Sequence, residues 1–192
     1  MNIVNGTGRE CGGALISQPG LDKVSFTGSA NAGKHIMQQC AQFLRPVSLE
    51  LGGKGAILVF DDADLKSAVD WIMVGIFLCS GQVCSATSRL LLHDSIADEV
   101  LSRLVEETKK IKMGDPNDSS VNMGPMISDA QASQVKEYLS HALKDDRCNV
   151  IVGSDQSKAE AMDGYYVEPI IVDNVPVESA HAWIPIGRRS PV

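Results

Sequence analysis

The feature that most constrains this chain is a β-α-β crossover between residues 24 and 53. Val24-Ser-Phe-Thr27 reads as a short strand, and Gly28 as the turn that follows it. From Ser29 to Leu44 the apolar residues Ala32, Ile36, Met37, Cys40, Phe43 and Leu44 recur at helical spacing, until Pro46 stops the run. Val47 to Leu51 alternates as a second strand and breaks at Gly52-Gly53. A strand, a helix and a strand in this order form one parallel unit, so the fold class is α/β rather than a sandwich or a bundle.

The alternation continues downstream. Ala56 to Phe60 is a continuous apolar run of the kind buried on both faces. Asp64 opens a helix with Leu65, Ala68, Val69, Ile72, Met73 and Ile76 on one stripe, ending near Cys79 to Gly81. Arg89 to Leu92 returns as a strand. Ser95-x-x-Asp98 reads as a capping box before a helix to about Ile111. Ser128-x-x-Gln131 caps another, striped by Val135, Tyr138, Leu139, Ala142 and Leu143. Asn149 to Gly153 and Tyr166 to Val172 are the last strand-like stretches, Pro169 placing the second at an edge or a bulge. Gly114 to Pro125 and Gln156 to Gly164 read as surface loops. Residues 178–192 lack periodicity and are expected to form a poorly ordered tail.

Composition excludes several classes of function. With 192 residues and 44% hydrophobic content there is enough chain for a sizeable core. Seventeen basic against 24 acidic side chains, a net charge of −7, argue against nucleic-acid binding, which needs a basic patch to neutralise phosphates. The longest apolar run, Trp71 to Cys79, is too short to span a bilayer, and the residues after Met1 carry no charged-then-apolar targeting signal. Five cysteines at uneven spacings favour reduced thiols in an intracellular compartment. His35, His93, His141 and His181 are scattered without ligand spacing, so no metal site is expected.

Three places could carry chemistry. Gly28-Ser29-Ala30-Asn31-Ala32-Gly33 follows a strand and opens a helix, where free N–H groups and the helix dipole favour an anion such as a pyrophosphate; an ordinary glycine turn with an N-cap serine fits the spacing equally well. Glu50 stands at the carboxyl end of a strand before Leu51-Gly52-Gly53. Apolar neighbours there would raise its pKa and make it a general base, against the plainer reading of a partly solvated strand-end glutamate. Cys84 sits among small and polar residues in Ser80-Gly81-Gln82-Val83-Cys84-Ser85-Ala86-Thr87-Ser88, a setting that suits an accessible nucleophile. Cys40 and Cys79 fall on apolar helical stripes and read as core fillers.

These places occur in one order: Phe26-Thr-Gly-Ser29, then Val47-Ser-Leu-Glu-Leu-Gly-Gly-Lys54, then Gly81-Gln-Val-Cys84, with Glu50 and Cys84 34 residues apart. The series resembles the NAD(P)-dependent aldehyde dehydrogenase superfamily, over residues 2 to about 177. Gly81 to Ala97, Trp71, the Gly114-Asp-Pro116 turn and Gly164-Tyr-Tyr-Val-Glu-Pro169 look most like its plant and algal betaine aldehyde and aminoaldehyde dehydrogenases.

The resemblance implies that Cys84 attacks the aldehyde carbon, that Glu50 activates the water that hydrolyses the resulting thioester, and that NAD is the cofactor. It further implies that Gly28, Ser29 and Gly33 form the pyrophosphate turn and that Leu51 and Gly52 line the nicotinamide. It implies an aldehyde dehydrogenase-like fold in pieces: 1–51 from a Rossmann-type cofactor domain, 52–177 from the α/β catalytic domain, and 178–192 as a divergent, disordered tail. It further implies a homo-oligomeric enzyme acting on small-molecule aldehydes in cytoplasm, plastid or peroxisome; family members are well over twice this length, and the chain alone is expected to be inactive or nearly so. A non-catalytic remnant that associates with full-length subunits, or a residual thiol esterase, are the alternatives. Where plant betaine aldehyde enzymes place a tryptophan, six residues before the nucleophile, as one wall of a box for the cationic ammonium head, this chain has Leu78.

Overall fold

A computed structural model describes residues 1–176 and the backbone of 186–190. The chain falls into two units, Met1–Gly53 and Lys54–Val192, each with an apolar core of its own.

The first unit opens on a π-helical turn at Gly8–Gly12, capped by Thr7, and runs into α1 (Gly13–Ile16). β1 (Val24–Gly28), α2 (Ala30–Ala41) and β2 (Val47–Leu51) follow, and the two strands pair in parallel from Val24 opposite Val47 to Gly28 opposite Leu51. This is the crossover expected from residues 24 to 53. Ile16, Ile36 and Cys40 are its buried centre, with Val24, Phe26, Val47 and Leu49 packed around them. The helical run stops at Ala41 rather than Leu44 because Leu44 takes a left-handed φ of 51°, and the Arg45 N–H turns back to the Cys40 carbonyl. Arg45 is itself buried. Its Nε donates to the Leu21 carbonyl at 2.8 Å, its Nη1 to that of Ile16 at 2.6 Å and its Nη2 to that of Gln18, pinning the segment before β1 to the segment before β2.

The second unit runs β3 (Ala56–Val59), α3 (Leu65–Phe77), β4 (Arg89–His93), α4 (Asp94–Thr108), α5 (Asp129–Ala142), β5 (Asn149–Val152), α6 (Ser157–Glu160), β6 (Ile171–Asp173) and β7 (Ile186–Ser190). The sheet order is β3-β4-β7-β6-β5, parallel between neighbours except for β5, which is antiparallel to β6 at one edge. Asp64 caps α3 by accepting the Ser67 N–H at 2.8 Å, and the expected stripe buries Val69, Ile72 and Ile76. Those residues pack against Leu90 and Leu92 of β4 and Ala97, Val100 and Leu104 of α4. A second cluster joins Leu139 and Ala142 of α5 to Val167, Ile170 and Val172.

In the second unit several expectations change, and the stretch read as the Gln156 to Gly164 loop contains the short helix α6. The run from Ala56 is an edge strand, paired among the described residues with β4 alone, and Leu58 is exposed, so the run is not buried on both faces. Helix α4 starts two residues earlier than the Ser95 box implies: His93 is the N-cap, its Nδ1 accepting the Ser95 N–H. Pro169 precedes β6 instead of lying in it, and β6 is an interior strand, where a missing N–H would break the ladder. Residues 186–190, expected within a disordered tail, form β7 between β4 and β6. Backbone ladders on both sides hold that strand, and these need no side-chain alternation, so periodicity could not reveal it. The rest of the expected tail, with residue 177, lies outside the described residues.

Candidate active site

In the first unit the carboxyl ends of two parallel strands meet the start of a helix. Gly28 stands opposite Leu51, and Thr27 opposite Glu50. Ser29 is the N-cap of α2: its Oγ accepts the Ala32 N–H at 3.2 Å and its carbonyl accepts the Gly33 N–H at 2.9 Å. The first N–H groups of a helix have no partner within it, and they carry the positive end of its dipole. Gly33 contributes differently from what the pattern suggested. Its N–H is committed to the helix, and a Cβ there would stand 2.8 Å from Leu51 Cδ2, so the missing side chain lets α2 lie close on β2. Gly52 is exposed, with open space around its α-carbon. Glu50 is exposed as well, so the apolar enclosure expected to make it a general base is not found around it.

In the second unit Cys84 is exposed in the turn between α3 and β4, which closes through the Ala86 N–H on the Val83 carbonyl at 3.0 Å. The approach to that turn is unusual. After Phe77 the helix gives way to a tight turn at Leu78–Gly81, in which Cys79 (φ 51°), Ser80 (φ 57°) and Gly81 (φ 74°) are consecutively left-handed. Two of the three carry side chains, and such a conformation costs each about 1–2 kcal/mol. Cys79 therefore leaves the apolar stripe and is exposed, a correction to its reading as core filler. Cys40, by contrast, is buried as expected.

Several contacts hold the Cys84 turn. Ser80 Oγ donates to the Gly124 carbonyl at 2.8 Å, Gln82 Oε1 accepts the Ile127 N–H at 2.8 Å, and the Thr87 N–H donates to the Gly75 carbonyl at 2.9 Å. On the other side runs the segment that follows Leu51-Gly52-Gly53. A Cβ on Gly55 would lie 3.0 Å from the Ala86 carbonyl oxygen, and Arg89 Nε donates to the Lys54 carbonyl at 2.9 Å. Burial lowers the Lys54 ammonium below the ordinary lysine range. The structure thus gathers Gly28, Ser29 and Leu51 in the first unit, and the Lys54-Gly55 segment with the Cys84 turn in the second; Glu50 belongs to the former and Cys84 to the latter.

The sequence places Ser80 and Thr87 beside Cys84 but does not show their partners, and it gives no sign of Gly75 and Arg45, because these roles arise from contacts between residues distant in sequence. Gln82 had a local signal, its place in Gly-Gln-x-Cys. Among the described residues no three His, Cys, Asp or Glu side chains group as a metal site, and no helix is long and apolar enough to cross a membrane. A recess lined by Lys66, Asp70, Arg103 and Glu106, exposed residues engaged in ion pairs along α3 and α4, includes none of the candidate residues.

Parallel strand ends facing a helix start, and an exposed thiol at a helix-to-strand turn, define an α/β chain of the kind that the motifs indicated. The aldehyde dehydrogenase family model matches residues 1–185, and the chain belongs to that family. It is 42% identical over 183 residues to a chloroplastic betaine aldehyde dehydrogenase of Atriplex hortensis, and 44% identical over 183 residues to the peroxisomal aminoaldehyde dehydrogenase 1 of Pisum sativum. Each match covers 95% of this chain and 36% of the relative. A betaine aldehyde dehydrogenase from Staphylococcus aureus, solved in complex with NAD+, superposes with a TM-score of 0.86 at 34% identity, over 96% of this chain and 38% of that one. The chain spans little more than a third of the length of the relatives it matches.

Proposed function

We propose that this chain carries the nucleophile and the base of an NAD-dependent oxidation of an aldehyde to a carboxylate, with a betaine aldehyde or an aminoaldehyde as substrate. The observation that carries the reading is Cys84 itself: an exposed thiol on a turn fixed at both ends, in a chain of the aldehyde dehydrogenase family. The relatives named for betaine aldehyde and aminoaldehyde favour that substrate class. Leu78, exposed six residues before Cys84, is aliphatic, so a cationic far end of the substrate would make no cation–π contact with that position.

The first unit fits a dinucleotide. Register places Gly28 beside Leu51, and α2 starts next to them with its positive dipole end, so a pyrophosphate suits Gly28, Ser29 and the first turn of α2. Leu51 and Gly52 suit the flank of a nicotinamide, and Gly33 acts indirectly by holding the helix against β2. The chemistry that NAD supplies when bound is two-electron oxidation of the substrate adduct to a thioester. The residues of the chain do the rest. Cys84 Sγ, as thiolate, forms a C–S bond to the aldehyde carbon, and its backbone N–H stabilises the negative oxygen that results. In hydrolysis Glu50 takes a proton from water, the water oxygen bonds to the acyl carbon, and the C–S bond breaks to release carboxylate and restore the thiolate. The family's homo-oligomeric state, and a reducing intracellular compartment such as cytoplasm, plastid or peroxisome, complete the proposal; five unbridged cysteines support the compartment.

The test separates the two halves of the reaction. The purified chain is incubated with p-nitrophenyl acetate, and acylation of Cys84 is read by mass spectrometry; in parallel NADH formation is followed with betaine aldehyde or aminobutyraldehyde. Acylation that disappears in Cys84→Ala supports the nucleophile, and NADH formation, expected to be slight from this chain alone, supports the whole reaction where it disappears in Cys84→Ala and falls in Glu50→Gln. A chain in which Cys84 stays unacylated, or in which NADH forms equally well without it, overturns the assignment.

A further inference from the structure

The turn that presents Cys84 is held by a residue two positions before it. Gln82 places both ends of its carboxamide: Nε2 donates to the Cys79 carbonyl at 3.2 Å, and Oε1 accepts the Ile127 N–H at 2.8 Å. The Cys79 carbonyl also receives the Gln82 N–H at 3.1 Å, so backbone and side chain of one residue close the left-handed stretch at Cys79, Ser80 and Gly81. Ser80 adds a second crossing bond of the same kind, from its hydroxyl to the Gly124 carbonyl at 2.8 Å. Both bonds reach residues more than 40 positions away, and both land on one segment, Gly124 to Ile127.

That segment is firmly seated. Met123 and Met126 are buried, and the Met126 N–H donates to the Tyr165 carbonyl at 2.8 Å. The left-handed residues would otherwise be the loosest part of the path to Cys84, because each non-glycine among them sits in an unfavourable conformation. An amide is the side chain that satisfies both sites at once: a carboxylate accepts but does not donate, and an ammonium donates but does not accept.

We propose that Gln82 is a positioning residue for Cys84: its carboxamide, with the Ser80 hydroxyl beside it, clamps the left-handed approach to the anchored Gly124 to Ile127 segment and so sets where the thiol stands. This inference rests on the reading of Cys84 as the nucleophile and deepens it. A nucleophile misplaced by a fraction of an ångström loses rate in bond formation to a bound carbonyl, while a small, mobile reagent still finds it.

Three single variants of the 192-residue chain test the clamp: Gln82→Met, which keeps the shape and loses both bonds, Gln82→Glu, which keeps the acceptor alone, and Ser80→Ala. Amide hydrogen exchange reads the clamp directly. Gln82→Met raises exchange at residues 83–86 and at Ile127 together, by about fivefold or more for the loss of a hydrogen bond on each side, with α4 unchanged. Gln82→Glu restores protection at Ile127, and Ser80→Ala loosens the segment at Gly124. Reactivity supplies the second readout: Gln82→Met slows acylation of Cys84 by p-nitrophenyl acetate about tenfold, while alkylation by iodoacetamide at the same pH changes by less than about twofold. Unchanged exchange in Gln82→Met, or a rise spread evenly over the second unit, overturns the clamp. Equal losses in acylation and alkylation also overturn it, since they report exposure or ionisation rather than position. If the parent chain alkylates but never acylates, the nucleophile reading fails, and the positioning role for catalysis fails with it, whatever exchange shows of the bonds.

Discussion

Thr87 and Gly75 leave no room for a side chain between them: the Thr87 N–H donates to the Gly75 carbonyl at 2.9 Å, and a Cβ at position 75 would lie 2.2 Å from Thr87 Oγ1. The contact joins the last turn of α3 to the chain leaving the Cys84 turn. Gly75→Ala is therefore expected to cost about 1–3 kcal/mol through overpacking, partly offset by the roughly 1 kcal/mol that alanine gains over glycine in a helix. Thr87 Oγ1 is buried without a hydrogen-bond partner among the described residues, so Thr87→Ala alone removes no bond, and the pair Gly75→Ala with Thr87→Ala regains part of the loss. Urea unfolding of the parent, the single variants and the double variant checks this; equal stability of parent and Gly75→Ala would count against the contact.

Arg45 organises the first unit. Arg45→Ala removes three donors from the carbonyls of Ile16, Gln18 and Leu21 and is expected to destabilise the unit by at least about 1.5–3 kcal/mol, the range for a single hydrogen bond to a charged group. Lysine can restore one of the bonds but not the fork. Hydrogen exchange over residues 16–21 should rise in Arg45→Ala and remain raised, to a lesser degree, in Arg45→Lys.

Gly33 should show its effect in binding rather than stability. The atom a new Cβ would meet is the end of the Leu51 side chain, which can swing aside, and alanine brings a helix-propensity gain of about 1 kcal/mol. Gly33→Ala is thus expected to unfold at nearly the parent's denaturant midpoint while displacing Leu51 from the strand ends proposed to flank the nicotinamide. Calorimetric titration with NAD, comparing the parent chain with the variant, measures that displacement as weaker binding; a variant that loses stability instead means that Leu51 is held rigidly.

Acid should weaken α3 at its cap. The Asp64 carboxyl lies below its ordinary range because it accepts the Ser67 N–H and also hydrogen-bonds the Ser67 side chain. A carboxyl with a folded pKa below its unfolded one contributes stability above the unfolded pKa, near 3.8, and loses it as pH falls through the lower folded value. Asp64→Asn keeps a capping side chain without the titration, so the drop in urea midpoint between pH 6 and about pH 3 should be smaller in the variant than in the parent. An identical drop in both would assign the acid sensitivity elsewhere.

The five cysteines should react in a set order with iodoacetamide. Cys84 and Cys79 are exposed and label first, and Cys40, buried against Ile16 and Ile36, labels only on unfolding. Cys11 and Cys148 are intermediate in exposure and label between these extremes, and at Cys148 burial, aided by the charge of Asp145, pushes the thiol up, which lowers the reactive thiolate at any given pH. Peptide mapping after timed alkylation reads the order, and early labelling of Cys40 would contradict the core of the first unit.

Much of the fold is legible along the chain, because it depends on local spacing. The α2 and α3 stripes, the Asp64 and Ser128 caps and the β1 to β2 crossover follow from periodicity and turn chemistry within a few residues. β7 is the counterexample. Ile186 to Ser190 has no alternating pattern, and what makes it a strand is a vacancy between β4 and β6 with backbone groups on both sides. Cys79 misleads for a related reason: it continues an apolar stripe in sequence, but the chain has already left the helix through a left-handed turn.

The sequence by itself determined the family and the identities of the candidate residues, since Leu-Glu-Leu-Gly-Gly-Lys and Gly-Gln-x-Cys are runs of neighbours that need no third dimension to be read. Only the tertiary structure decided how those residues are held. Gly33 is a packing glycine because Leu51 lies across from it, Glu50 is exposed among the described residues although its strand neighbours Leu49 and Leu51 are partly buried, and the Cys84 turn is fixed by Gln82, Ser80 and Thr87 through partners on Gly75, Gly124 and Ile127. Such contacts join positions far apart in the chain, and their geometry exists only once the intervening helices and strands have packed.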